Sequence, residues 1–467
     1  MGVAYPDPNI YECRLRHSRI IPLAFDLVLK GGTVVNHDGT GIRDVAIIAG
    51  RIAGVGRFDT AAEVLDCRGL HILPGVVDSQ VHFREPGAEH KEDLETGGRA
   101  AVLGGVTAVF EMPNTSPATV TAEALADKLR RATSRMHCDF AFYVGATQAN
   151  HQDLAVLEHL PGCAGIKVFM GSSTGDLLVD DDEGVARVLS HITRRAAFHS
   201  EDEMRLLSRK SERLPGRAAS HPVWRDAEAA RLCTERLLRI AGRLGKRIHV
   251  LHVSTADELP LLAARKDVAT VEVTPHHLTF TAADYERLGT LIQMNPPVRE
   301  ASHRDALWQA VSSGLVDVLG SDHAPHTLAE KAKPYPQSPS GMPGVQTLVP
   351  VMLDHVNQGR LTIERFVDLT SHGPHRIFGM ARKGRIAEGF DADFTVVDLK
   401  QQRTIENRWI ASRCGWTPYD GMTVTGWPKG TIIRGRKVMW EDEIVSPAAG
   451  QPVAFLETLF TRRNTTG

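Results

Sequence analysis

Apolar runs ending in polar residues recur through the middle of the chain: GVVDSQVHF, VTAVFEMPN, CDFAFYVGA, AGIKVFMGSS, AAFHSED, RIHVLHVST, VATVEVTPHH and VDVLGSDHAPH. Most intervals between them have helical spacing, as in TAEALADKLRRATSR and DAEAARLCTERLLRIAGRLG. In the second of these, Ala230, Cys233, Leu237 and Ile240 recur at intervals of three and four, which places them on one face of an amphipathic helix. About eight such strand–helix units over roughly 300 residues fit a (β/α)8 barrel of the TIM type. A doubly wound open sheet is the alternative, but the Gly-rich phosphate loop expected early in that fold is missing.

The texture differs on either side. From Asp26 onward, DLVLKGGTVVN, DVAIIAGRIAGVG and AEVLDCRGLHILPG read as short strands joined by Gly-bearing turns. The same style returns in GRIAEGFDADFTVVDL and GTIIRGRKVMWEDEIV. The chain is therefore expected to be α/β, with a small β-sandwich built from both chain ends beside the barrel. The expected division is an extension over 1–24, a composite β-domain over 25–73 and 384–446, a barrel over 74–383 and a tail over 447–467.

Composition narrows the function class. A formal charge of −2 gives no electrostatic case for nucleic acid or an anionic membrane as partner. Cys13, Cys67, Cys138, Cys163, Cys233 and Cys414 are scattered, without CxxC pairs, and read as reduced thiols. The first 25 residues lack the basic start and apolar run of a signal peptide. No stretch reaches the ~18–20 apolar residues of a membrane span. A cytoplasmic enzyme is the expectation.

Catalytic groups of a β/α barrel sit where strands end and βα loops begin. Those ends supply His82 after the first strand, Lys167 on the fourth, His199 on the fifth, His252 at the sixth and Asp322 at the eighth. Singly, each histidine reads as a hydrogen-bonded structural residue, and Asp322 as a cap. Jointly, three imidazoles, a carboxylate and a lysine are donors suited to Zn²⁺ or a similar divalent ion. Lys167 lies inside the apolar strand AGIKVFMG, where it must pair with a carboxylate or lose its charge. A neutral lysine can capture CO₂ as a carbamate whose two oxygens bridge two metals.

The runs DSQVHFREPG, EMPNT, KVFMGSSTG, HVLHVST, TPHHL, MNPPVR and GSDHAPHTLAEK resemble dihydroorotase, a member of the amidohydrolase superfamily of metal-dependent barrel hydrolases. The similarity runs in order from about Asp26 to Val445. It implies reversible cyclisation of N-carbamoyl-L-aspartate to L-dihydroorotate, with a carboxylated Lys167 bridging two zinc ions. His199 and His252 would hold one ion (β), and His82 and Asp322 the other (α). Asp322 would carry the proton between the attacking water and the departing amide. Arg84, Asn114, Asn295 and His326 match positions that hold the substrate carboxylate and ring. An anionic substrate suits a guanidinium near a metal ligand, although Arg84 could instead pair with Glu85 or Glu92.

One position departs from the resemblance. Dihydroorotases carry an HxH pair on the first strand, whereas this chain reads Asp78-Ser79-Gln80-Val81-His82. An amide oxygen is a poorer zinc ligand than imidazole, so the site is expected to hold one or two ions, the α ion weakly. The alternative is a non-catalytic dihydroorotase-like subunit associated with aspartate transcarbamoylase. Retention of every other ligand favours an enzyme. Dihydropyrimidinase and allantoinase are the rival activities, and the pairing of FREP with MPNT favours dihydroorotate. Homo-oligomerisation is expected from the family. Segment 327–345, rich in Pro, Gly and Ser, reads as a long loop at the active-site mouth, either a lid or a passive connection.

Overall fold

The computed structural model describes residues 25–171 and 177–461. The expected extension over 1–24, residues 172–176 of the KVFMGSSTG run and the last residues of the expected tail lie outside the described residues.

The first strands are β1 (Phe25–Asn36), β2 (Gly39–Ile48), β3 (Arg51–Gly56), β4 (Ala61–Asp66) and β5 (His71–Pro74). The Gly31–Gly32 pair forms a bulge within one continuous strand. The β1/β2 register shifts between Leu29 and Gly32, and Gly31 takes a φ of 70°, where a side chain would be strained. Past this kink β1 changes partner, pairing with β4 before it and with β5 after it.

The barrel strands follow: β6 (Val76–Val81), β7 (Val106–Glu111), β8 (Asp139–Gly145), β9 (Cys163–Phe169), β10 (Ala196–His199), β11 (Ile248–Val250), β12 (Ala269–Val273) and β13 (Val318–Leu319). They form one eight-stranded sheet in sequence order, with every neighbouring pair parallel. A parallel bridge from Val81 to His323 closes it, and His82 N–H donates to the His323 carbonyl at 2.7 Å. The strands are buried on both faces, as a barrel wrapped in helices requires. Phe110, Tyr143, Ala197 and Leu251 fill the interior together with Phe378 and Phe455. The Phe110 ring meets these last two edge-on, with centroids 5.3 and 5.7 Å away. Aromatic packing therefore fills one part of the interior and leaves the strand C-termini to polar groups.

The closing strands β14 (Phe394–Thr404), β15 (Thr423–Ile433), β16 (Arg436–Trp440) and β17 (Glu443–Ile444) return to the first sheet through β14, which pairs antiparallel with β5. Both chain ends thus share one nine-stranded mixed sheet, with Leu27, Leu29, Val45, Ile47, Phe394 and Ile432 in its core. No helix among the described residues is long and apolar enough to cross a membrane.

A buried charge knot ties this sheet to the barrel. Lys383 Nζ donates to Asp139 at 2.7 Å and to Asp393, and Arg434 Nη1 donates to Asp139 at 2.6 Å. Burial works against the Lys383 charge, but Asp139 and Asp393 outweigh it and raise its pKa above the ordinary lysine value. Lys383→Met leaves two buried carboxylates facing each other. It is expected to cost about 3–5 kcal/mol in urea unfolding. A loss below about 1 kcal/mol would show that the knot contributes little.

Candidate active site

The βα ends bring the predicted residues together. His82 follows β6, Lys167 lies on β9, His199 ends β10, and His252 and Asp322 lie just beyond β11 and β13. All five line one cavity of about 110 Å³, which Gln80, Arg84, Asn114 and Asn295 also line. Three of these side chains hang from left-handed backbone: Arg84 at φ 63°, His252 at φ 37° and Asp322 at φ 49°. Such conformations cost of order 1–3 kcal/mol each in a non-glycine residue and gather where function holds the backbone in place.

The polar groups form two halves. In the first, His199 Nδ1 faces His252 Nε2 at 3.0 Å. His199 Nε2 meets the Glu201 carboxylate at 2.9 Å, and Arg225 grips that carboxylate from behind, with Nε to Oε1 at 3.1 Å. Because a carboxylate only accepts, Nε2 carries the proton and Nδ1 keeps a lone pair turned into the cavity. A carboxylate fixing the outer nitrogen of an imidazole is the usual backing of a metal ligand. His252 Nδ1 is buried without a hydrogen-bond partner among the described residues.

In the second half, Asp322 Oδ1 accepts from Gln80 Nε2 at 3.0 Å and lies 3.2 Å from His82 Nε2. His82 Nδ1 donates to Asn114 Oδ1 at 2.7 Å. Gln80 therefore turns its amide nitrogen to the carboxylate, and its Oε1 is left buried without a partner. Burial lowers the pKa of all three histidines; Asp322 opposes it at His82, and Glu201 opposes it at His199. They are thus held towards the neutral form that binds cations.

Lys167 is 1% exposed, with Nζ 4.5 Å from the centre of the Phe169 ring. Burial pulls its amine down to about 7, against the pull of Asp322 and Glu272. Among the described residues no three His, Cys, Asp or Glu side chains close on a single point. Each half supplies a pair, and Lys167 is the residue on the cavity wall that could complete either. The orphaned buried atoms and inward lone pairs fit a cation held by His199, His252 and Lys167. On the second side they fit His82 and Asp322, with Gln80 in place of a nitrogen ligand.

The anion-facing side is built differently. Arg84 Nε donates to the Pro325 carbonyl at 3.2 Å, and Nη2 packs 3.3 Å from His326 Nε2. Glu85 pairs with Arg131 and Arg135, and Glu92 accepts from Ser412, Thr96 and the Arg413 N–H. Neither carboxylate pairs with Arg84, and among the described residues no other one does.

His326 does not line the cavity. It braces Arg84 from behind, donating from Nε2 to Ser340 O at 3.1 Å and accepting at Nδ1 from Lys91 at 3.2 Å. Asn295 Oδ1 accepts from His221 Nε2 at 3.0 Å.

Segment 327–345 is more structured than its composition suggested, opening with the short helix Leu328–Lys331. Lys331 Nζ donates to Gly341 O at 2.8 Å, Pro339 O at 2.9 Å and Gln293 O at 3.3 Å. These bonds stitch the segment over the cavity, with Ser340 and Gly341 on its wall. Gly341 takes φ 139°, and a Cβ there would lie 2.4 Å from the Ala324 carbonyl.

Glu201 and Arg225 escaped the sequence reading. Glu201 stands next to Ser200 in the AAFHSED run and could have been found by asking what orients His199. Arg225 had no local signal.

A family comparison decides the lineage: the model described as "Amidohydrolase family" matches residues 71–438. The chain belongs to the amidohydrolase family. Members of this family are typically metal-dependent. Within it, the chain is 38% identical to a dihydroorotase of Halobacterium salinarum over 88% of this chain and 96% of that protein. It is 35% identical to an allantoinase of Streptomyces avermitilis over 90% of this chain and 97% of that protein. A solved L-hydantoinase (dihydropyrimidinase) from Arthrobacter aurescens superposes with a TM-score of 0.88 at 29% identity, covering 92% of this chain and 100% of the other. This amidohydrolase therefore groups with enzymes named for cyclic amides.

Proposed function

We propose that the protein is a dihydroorotase, interconverting N-carbamoyl-L-aspartate and L-dihydroorotate. The observation that carries this reading is the Arg84 guanidinium on the cavity wall, without a carboxylate partner among the described residues. A half-buried cation facing a cavity, with no carboxylate against it among the described residues, suits an anion. Dihydroorotate brings a carboxylate, whereas dihydrouracil, hydantoin and allantoin have none. The relatives named dihydroorotase support the same choice.

His199, His252 and a carboxylated Lys167, with His82 and Asp322, would hold zinc. Zinc bound there supplies Lewis acidity, lowering the pKa of water and polarising the ring carbonyl. Arg84 clamps the substrate carboxylate and His326 keeps Arg84 in place. Asn114 and Asn295 hold the ring. Asp322 accepts the proton of the attacking water and passes it to the departing amide nitrogen. Glu201 and Arg225 keep the His199 lone pair turned inward. Ring closure runs through the same groups in reverse.

The non-catalytic reading draws on one observation, the Gln80 amide on Asp322, which engages the proposed proton carrier. Lys167→Ala tests the enzymatic reading against it. The variant is expected to lose metal affinity by at least about 100-fold and, with it, dihydroorotate turnover. Unchanged metal content by elemental analysis would remove the carbamate from the account. Absence of turnover in fully loaded wild type would favour the non-catalytic reading.

A further inference from the structure

The N-terminal side of the barrel strands, away from the catalytic residues at their C-termini, carries a second polar hollow of about 60 Å³. Arg194, Arg195, Arg247 and Arg376 line it, together with Glu457. Arg194 and Arg195 immediately precede β10, Arg247 precedes β11, and Arg376 lies on the helix Gly373–Phe378.

Two of these arginines have clear structural work. Arg194 is buried and donates to the carbonyls of Glu158, Cys163 (3.0 Å) and Ala164 (3.2 Å), and to Glu457 at 3.0 Å. Arg195 Nη1 donates to the carbonyls of Ile248 at 2.8 Å and Val268 at 3.3 Å. These bonds tie carbonyls at the strand starts to the two guanidinium groups.

Such bonds do not account for the other two. Arg247 lies 3.9 Å from Glu457, a carboxylate already engaged by Arg194. Arg376 reaches Asp317 at 3.3 Å, and Asp317 also pairs with Lys266. Arg195 Nε is buried without an acceptor among the described residues. Burial, then Arg247 and Arg376 against the opposing Asp317, bring the Arg195 guanidinium down to about 10. Four guanidinium groups around one small hollow repel one another unless negative charge enters. Glu457 and Asp317, the latter shared with Lys266, leave the cluster with an excess of positive charge.

We propose that this hollow binds a phosphate-type oxyanion, either the free ion or the phosphoryl group of a small metabolite. A hollow of about 60 Å³ has room for one oxyanion head. Guanidinium groups present paired N–H donors matched to tetrahedral oxyanions. The site lies apart from the catalytic cavity, so its occupant would bind without touching the reaction. It would tie the starts of β10 and β11 to the C-terminal helix Leu456–Thr461.

Calorimetric titration of the full chain with inorganic phosphate, against chloride at matched ionic strength, tests the proposal. The comparison variant is Arg247→Gln with Arg376→Gln, two exposed positions that cap no strand. Wild type is expected to show saturable binding at one site per chain and a Tm that rises with phosphate. In the double variant, affinity should fall by about tenfold or more and the Tm shift should disappear. No saturable binding in wild type overturns the proposal. Equal binding in the variant does so too, because phosphate would then be bound elsewhere, for instance at the catalytic cavity. A parallel titration with a nucleoside monophosphate separates the sources: tighter binding than phosphate identifies a larger phosphorylated ligand, and equal binding identifies the free ion.

Discussion

Asp322→Asn is expected to lower kcat for dihydroorotate ring opening by about 10²- to 10⁴-fold, the usual contribution of a positioned general base. The substitution is nearly isosteric and keeps an oxygen for the Gln80 N–H that now lies 3.0 Å from Oδ1. It removes the capacity to take and return a proton. Asparagine also tolerates the left-handed backbone at this position, where φ is 49°. Circular dichroism and Tm should therefore stay close to wild type. Metal content measured on the same sample separates a lost proton carrier from a lost ion. If a fully loaded variant kept near-normal kcat, the proton would travel by another group.

Arg84→Gln is expected to reduce kcat/KM for dihydroorotate by about 30- to 1000-fold, equivalent to about 2–4 kcal/mol of lost binding in the transition state. Activity on neutral cyclic amides such as dihydrouracil should change by less than about threefold. The asymmetry arises because the guanidinium, braced by Pro325 O and His326, has no carboxylate partner among the described residues. Arg84→Lys should recover only part of the loss, since an ammonium cannot reproduce a bidentate clamp. Equal losses on charged and neutral substrates would make Arg84 a structural residue and remove the argument for dihydroorotate.

The site was legible to the extent that it follows from strand periodicity. His82, Lys167, His199, His252 and Asp322 could be found because each lies at a strand C-terminus, and a parallel barrel brings those ends together. Apart from Glu201, which lies two residues from His199, their supports were not legible, because they come from other segments of the chain. Ser79 Oγ meets Glu272 at 2.8 Å across a separation of 193 residues, and Arg225 reaches Glu201 from the segment before the helix Ala227–Leu244. Local pattern contains no trace of such pairs.

His326 was expected to hold substrate, and it stands beside Arg84. Its place behind Arg84, rather than on the cavity wall, depends on Lys91 and Ser340. The bulge at Gly31 was not legible, because a glycine pair marks a bulge as readily as a turn and only the pairing of β1 with β2 distinguishes them. The helix Leu328–Lys331 was hidden by the prolines after it, although the Thr327–Glu330 capping box was there to be read.

The central claim is that the unpaired Arg84 selects a carboxylate-bearing ring, and one measurement tests it most directly. Wild-type protein of known metal content should be assayed with L-dihydroorotate, dihydrouracil, hydantoin and allantoin under one set of conditions. The account predicts kcat/KM for dihydroorotate at least about 100-fold above each neutral ring, because only dihydroorotate gives the Arg84 guanidinium a carboxylate to clamp. Faster hydrolysis of any neutral ring, or no hydrolysis of dihydroorotate at full metal loading, would contradict it.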